Sequence, residues 1–331
     1  MVMLSSIMMI LTFLGEKIMR KVLLASTALV ALGSVSAMAA DISISGSSEM
    51  VLDMGNSADS DDSGLASETD VNITFSNTSD SGITTSLNYG IDETSTNDDM
   101  IVSVSGLAGM TISYTNAPDD HALTAGDIDP AGTAEERAPA AAEMHANTYT
   151  GALPAIGDNH VTLTLPSMVD GLTIAGSLGN TAATGTHNVA DTTTGEAASY
   201  RITYDAGVAR VVYGEVRGHT QTDTHLGVSL PLGAATIQLA QNSNDEADVD
   251  NSATLIGVTY ALDDALTLGL EMDKGENGTA AQDYEMTSIG ATYVIAPGLS
   301  ASLTSAETDS ADAAGVEQSH TFTSIGLHVS F

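Results

Sequence analysis

Cysteine and tryptophan are both absent from the 331 residues, and aromatics are few, with 4 Phe and 9 Tyr. Without cysteine there is no disulfide framework, no Cys-ligated zinc site and no thiol nucleophile. Basic residues are scarce too: 8 Lys and Arg stand against 43 Asp and Glu, a formal net charge of −35. Such an excess of carboxylates repels a phosphate backbone, so nucleic acid is a poor partner. Long apolar runs are missing. Beyond residue 40 none approaches the 18 consecutive residues of a membrane helix. Acidity with few aromatics also fits a disordered chain, and only the order of residues argues otherwise.

The N-terminal segment differs from the rest. Met19-Arg20-Lys21 is a positive start, residues 22–32 form an apolar run of 11, and Ala37-Met38-Ala39 is an A-x-A cleavage site. These are the three parts of a secretory signal peptide, expected over residues 1–39 and implying Sec-type export. The run is too short to anchor a helix in a bilayer. An upstream apolar stretch is broken off by Glu16 and Lys17, which points to Met19 as the true start, the alternative being a long signal with an unusual leader. Cleavage after Ala39 leaves 292 residues carrying 5 basic and 42 acidic side chains.

What the mature chain does have is short apolar/polar alternation, the period of a strand with two different faces. Ile42 and Ile44 alternate with Ser43 and Ser45, and Met50, Leu52 and Met54 with Glu49 and Asp53. Sixteen such segments are predicted: 41–54, 67–77, 83–91, 99–105, 109–115, 159–165, 171–179, 197–204, 208–217, 225–230, 234–241, 253–261, 265–272, 286–295, 299–305 and 320–331. Facing is least defined at 208–217. Short links such as Asp205-Ala206-Gly207, Pro231-Leu232-Gly233 and Ala296-Pro297-Gly298 follow the even-numbered segments. Long acidic links, among them 242–252, 273–285 and 306–319, follow most odd ones. Short turns at one end and long loops at the other predict an all-β fold, a 16-stranded antiparallel transmembrane β-barrel over residues 40–331. A soluble β-sandwich also alternates, but nothing in it requires that rhythm. Phe75, Tyr204, Tyr260, Tyr293 and Phe331 are expected at the short-turn rim, with Tyr89, Tyr114 and Phe322 opposite, as two aromatic girdles.

The chain stops on Phe331, with Val329, Leu327 and Ile325 behind it at spacings of two. This resembles the terminal-strand signal of Gram-negative outer-membrane proteins. Ser105-Gly106-Leu107-Ala108-Gly109-Met110-Thr111-Ile112, residues 159–166 with Gly171-Leu172-Thr173-Ile174, and Ala291-Thr292-Tyr293 with Pro297-Gly298-Leu299 stand in matching order. The mature chain is similar to the general diffusion porins, 16-stranded trimeric channels. That resemblance implies an outer-membrane location, a homotrimer, and Phe331, Val329 and Leu327 as the assembly signal read by the barrel-assembly machinery. Its surroundings would be outer-membrane lipid and lipopolysaccharide. It also implies that the loop between strands 5 and 6, here 116–158, folds inward and narrows the pore. That interval carries Asp119, Asp120, Asp127, Asp129, Glu135, Glu136 and Glu143, with Arg137 as its only base. Two family features are missing: the Pro-Glu-Phe-Gly-Gly-Asp phrase, and the arginines of the early strands, since no Lys or Arg occurs between Ala40 and Glu136.

The expected function is a passive, water-filled channel for small hydrophilic solutes and ions, favouring cations. Glu49, Asp53 and Arg201 are the expected charges of the lumen wall, each alternating with apolar neighbours. The alternatives are a sugar-selective channel and a structural or adhesive barrel with no through-path. No enzyme is expected. A hydrolase on the barrel exterior needs a Ser–His pair there, and His328 has the parity of the lumen. No metal or cofactor is called for. Asp59-Ser60-Asp61-Asp62 and Asn244-Asp245-Glu246-Ala247-Asp248-Val249-Asp250 lack the Gly and spaced Glu of a formed calcium loop, leaving only diffuse Ca²⁺ binding. Mass spectrometry of the exported protein should find Ala40 as its first residue; any residue before Val35 on it would contradict the assigned signal.

Overall fold

The computed structural model describes residues 41–56, 64–92, 100–116, 122–123, 160–180, 196–217, 221–246, 249–277, 283–311 and 317–331. They form sixteen strands: β1 (Asp41–Asn56), β2 (Gly64–Thr78), β3 (Thr84–Asp92), β4 (Met100–Leu107), β5 (Met110–Thr115), β6 (His160–Thr164), β7 (Leu172–Asn180), β8 (Glu196–Asp205), β9 (Arg210–Arg217), β10 (Gln221–Leu232), β11 (Ala235–Glu246), β12 (Val249–Ala261), β13 (Leu266–Asn277), β14 (Tyr284–Ala296), β15 (Leu299–Ala311) and β16 (Glu317–Ser330). Neighbours in sequence pair antiparallel, and β1 pairs with β16 to close the barrel. No helix occurs among the described residues. The signal segment and the acidic run 59–62 lie outside them.

The faces follow from alternation. Ile42, Ile44, Met50 and Leu52 on β1, Leu268, Leu270 and Met272 on β13, and Ile289, Leu303 and Ile325 on β14 to β16 are exposed on the outer wall. The intervening positions turn inward and most are polar or small, with Asp53, Ser177, Ser199, Ser288 and Ser324 buried there beside apolar exceptions such as Val51, Leu255 and Met286. Thr, Val and Ile fill the strands because branched side chains fit a pleated surface. The register resolves the ambiguous segment: Val211, Tyr213, Glu215 and Arg217 of β9 share the outward face of Tyr204, Ile202, Tyr200 and Ala198.

The structure corrects the expected loops of the second half. β11 and β12 are separated only by 247–248, β13 runs on to Asn277, and β15 reaches Ala311. A strand of 13 residues such as β15 spans about 30 Å of height at the usual tilt, against an apolar band of about 25 Å. Above that band the outer face meets water. Apolar alternation therefore stops while the ladder continues, with Lys274, Glu285, Glu307 and Thr323 outward. A second correction concerns Phe322. It shares the inward face of Ser324 and packs in a buried cluster with Tyr284, Met286 and Ala306, so it is not a girdle residue.

Closure ends at the last residue. The Gly46 amide donates to the Phe331 carbonyl at 3.1 Å, and the Phe331 amide donates to the Gly46 carbonyl at 3.0 Å. The phenyl ring lies over Gly46: a Cβ there would meet the ring Cζ at 2.7 Å and the Asp70 carbonyl oxygen at 2.6 Å. Gly46→Val should therefore lower barrel stability by roughly 1–3 kcal/mol, the usual range for overpacking. Deleting Phe331 should reduce the yield of folded protein in outer-membrane fractions. Unchanged yield on deletion would count against Phe331 as a closing residue.

Candidate functional site: the barrel interior

Because the ladder fixes which residues stand side by side, the inner wall can be read strand by strand. On β1, Glu49 lies opposite Glu68 of β2 and opposite His328 of β16, while Ser47 lies opposite Asp70. The His328 Nδ1 is 3.1 Å from a Glu49 carboxylate oxygen, and its Nε2 is 2.8 Å from Ser302 Oγ on β15. Two inward-facing pairs higher, the Ser324 hydroxyl donates to the Asp53 carboxylate. Across the barrel, Asn244 donates to Asp223 and His225 bonds Asn242, all four inward and buried. Tyr284 donates to Asp273 at 2.6 Å. Arg201 stands on the inward face of β8, opposite Ala175 and Gly214.

Glu49, Asp53 and Arg201 are thus on the inner wall, brought to different heights and sides of it. Val329 and Phe331 are exposed on the outer wall with Ile325, and Leu327 shares their parity. Asp119, Asp120, Asp127, Asp129, Glu135, Glu136, Arg137 and Glu143 lie outside the described residues. Sequence reasoning passed over Glu68 and Asp70, although they alternate with Thr69 and Val71 as Glu49 does with Met50. It also missed Ser302, whose partner depends on the register of β15 against β16.

The Ser302–His328–Glu49 chain has the connectivity of a nucleophile, base and orienting acid. It lacks the remaining part of such a centre. Ser302 sits mid-strand, where backbone N–H groups are committed to β14 and β16, so no pair of donors is available for an oxyanion. Among the described residues no group of three or more acidic, His or Cys side chains is placed to hold a metal ion.

The β5–β6 interval touches this wall at one described point. Ala122 donates its amide to Ser177 Oγ at 2.8 Å and lies 3.2 Å from Ser199 Oγ. Leu123 is fully buried in a cluster with Ala197, Val212 and Val216 of β8 and β9. The notch it occupies exists because position 214 is glycine: a Cβ there would come within 2.7 Å of a Leu123 methyl. Since these partners are inward-facing, residues 122–123 lie inside the barrel.

A closed antiparallel barrel with an apolar outer wall, a polar inner wall and no open edge is a transmembrane channel-forming barrel. Residues 25–313 match the family model of Gram-negative porins, and the chain belongs to that family. No curated protein sequence matches it. Among solved structures it resembles an anion-selective porin from Comamonas acidovorans, with 12% identity, TM-score 0.66, and 88% of this chain and 100% of that one covered. It also resembles a loop-deletion mutant of the Vibrio cholerae outer-membrane protein OmpT, with 16% identity, TM-score 0.65 and the same coverage. A mutant of the Rh. blastica porin follows at 17% identity and TM-score 0.62, with 88% and 100% covered. The protein is a passive channel of the Gram-negative outer membrane and not an enzyme.

The Leu123 contact can be tested directly, because the chain has no cysteine of its own. Leu123→Cys should react slowly with a maleimide too polar to enter lipid. Adding Gly214→Leu, which fills the notch, should speed labelling at least tenfold. Fast labelling of the single variant would show that position 123 is not held against the wall.

Proposed function

We propose that this porin passes small hydrophilic solutes and favours cations, and that the 116–158 segment narrows its lumen. One observation carries the selectivity: among the described residues the inward faces hold Asp41, Glu49, Asp53, Glu68, Asp70, Asp205, Asp223, Glu271 and Asp273, against Arg201 and Arg210. Walls of carboxylate favour cations, and the low-dielectric barrel focuses their field. The 116–158 interval adds seven carboxylates and Arg137, and the seat of Ala122 and Leu123 on β7 to β9 supports an inward course for it. Anion selectivity in the Comamonas acidovorans relative does not oppose this reading, since a likeness at that identity carries the fold and not the wall charges. The reading includes removal of residues 1–39 on export, insertion by the barrel-assembly machinery and assembly as a homotrimer among lipid and lipopolysaccharide. No cofactor takes part; Ca²⁺ would associate only diffusely with the acidic loops.

Salt sets the range of the effect. The screening length is ~10 Å at 0.1 M and ~3 Å at 1 M. In planar bilayers, reversal potentials under a KCl gradient should show clear cation preference at 0.1 M and little at 1 M. Converting Asp127, Asp129, Glu135 and Glu136 to amides should weaken that preference. Anion preference at 0.1 M would overturn the selectivity, and no effect of the amides would overturn the constriction.

A further inference from the structure

At the short-turn end of the barrel the inner faces of β1, β2, β15 and β16 enclose a cavity of about 480 Å³, lined among others by Ser47, Glu49, Glu68, Asp70, Ser300 and His328. His328 is the only basic side chain in that lining, and it is held on two sides, by Glu49 at Nδ1 and Ser302 at Nε2. Its ring lies over Gly326, where a Cβ would meet His328 Nε2 at 2.8 Å and Ser302 Oγ at 2.4 Å. The imidazole remains open to the lumen, with 29% of the side chain exposed, against 15% for Glu49. We infer that His328 determines how selectivity depends on pH: its protonation adds one positive charge to the mouth and lowers the channel's preference for cations.

The groups facing it are few. From β1 comes Glu49, and beyond it on β2 come Glu68 and Asp70; from β15 come Ser300 and Ser302, and from β14 Val294 and Ala296, none of these four titratable. Histidine is the side chain whose charge changes between pH 5 and 8. In the neutral form Nδ1–H donates to Glu49, and Nε2 accepts from the Ser302 hydroxyl. In the imidazolium form Nδ1–H still donates to Glu49, and Nε2–H donates to Ser302 Oγ after the hydroxyl turns. Both hydrogen bonds survive, so the charge changes while the geometry does not. Acid should therefore alter which ions pass without closing the channel. This rests on the channel reading, but not on its sign: whichever ion is preferred at pH 8, acid should shift the balance toward anions.

One unit charge about 5 Å from the ion path, in water at 0.1 M salt, is worth about a twofold change in relative permeability. Reversal potentials of the full-length mature protein under a dilute KCl gradient should show the cation-to-anion permeability ratio falling about twofold from pH 8 to pH 5. His328→Gln should abolish that fall, whereas His225→Gln should keep it. Glu49→Gln should keep the fall, because the histidine that changes charge is still in place. A pH dependence that survives intact in His328→Gln would overturn the inference. If His328→Gln yields no folded channel, His328→Asn, which keeps a polar amide at that position, decides instead, and a fall that survives intact in it would overturn the inference. The preference at pH 8 separately reports on cation selectivity.

Discussion

A strand edge exposed to lipid leaves a row of N–H and C=O groups unpaired at several kcal/mol each, and in this chain the pairing of β1 with β16 removes that edge. The rest of the structure follows from it. A closed wall has two faces only, so each strand residue belongs either to the membrane or to the lumen. An even number of antiparallel strands brings both ends of the chain to one rim, where Phe331 can exchange two backbone hydrogen bonds with Gly46. The final aromatic thus completes the seam of the ladder, and glycine at 46 is the residue that lets its ring lie flat against the wall.

The strand count and the short turns were legible because lipid imposes a pattern: where one face is apolar and the other wet, hydrophobicity alternates with the pleat. The upper halves of β11 to β16 were not, for the same reason. Outside the membrane both faces of a strand can be polar, as with Glu285, Thr287, Glu307 and Asp309 outward on β14 and β15. Hydropathy then carries no period, although the ladder runs on. Phe322 was misplaced by a different route. Its nearness to a strand end suggested a girdle, but its parity with Ser324 and His328 places it inside. Parity is the stronger signal, since a side chain cannot change face without a shift of register.

The lumen charges were half legible. Glu49, Asp53 and His328 follow from alternation alone. Which groups they meet does not, because the partners are set by closure and register: Ser324 is 271 positions from Asp53, and Ser302 reaches His328 across the β15–β16 ladder. The seat of Leu123 carried no signal at all. A leucine between Ala122 and Thr124 reads as an ordinary loop residue, and a glycine in β9 reads as a weak strand position, until the fold sets one into the other.

The partners of the carboxylates differ systematically between the two faces. On the outer wall Glu215 is paired with Arg217 and accepts from Tyr200. Lys274 likewise stands 3.8 Å from Glu276 and 3.6 Å from Glu285. The Glu215–Arg217 pair offsets charge on a face where a lone charge toward lipid is disfavoured, while the Lys274 pairs stand in water above the apolar band. On the inner wall three carboxylates accept from neutral donors: Asp53 from Ser324, Asp223 from Asn244 and Asp273 from Tyr284. A neutral donor satisfies a buried carboxylate without cancelling its charge. The inner wall can therefore be stable and negatively charged at once, which is the condition for attracting cations. Glu49 meets a histidine instead, His328. There the donor is a ring that carries a proton on one nitrogen or on both, so the proposed change of charge needs no new contact.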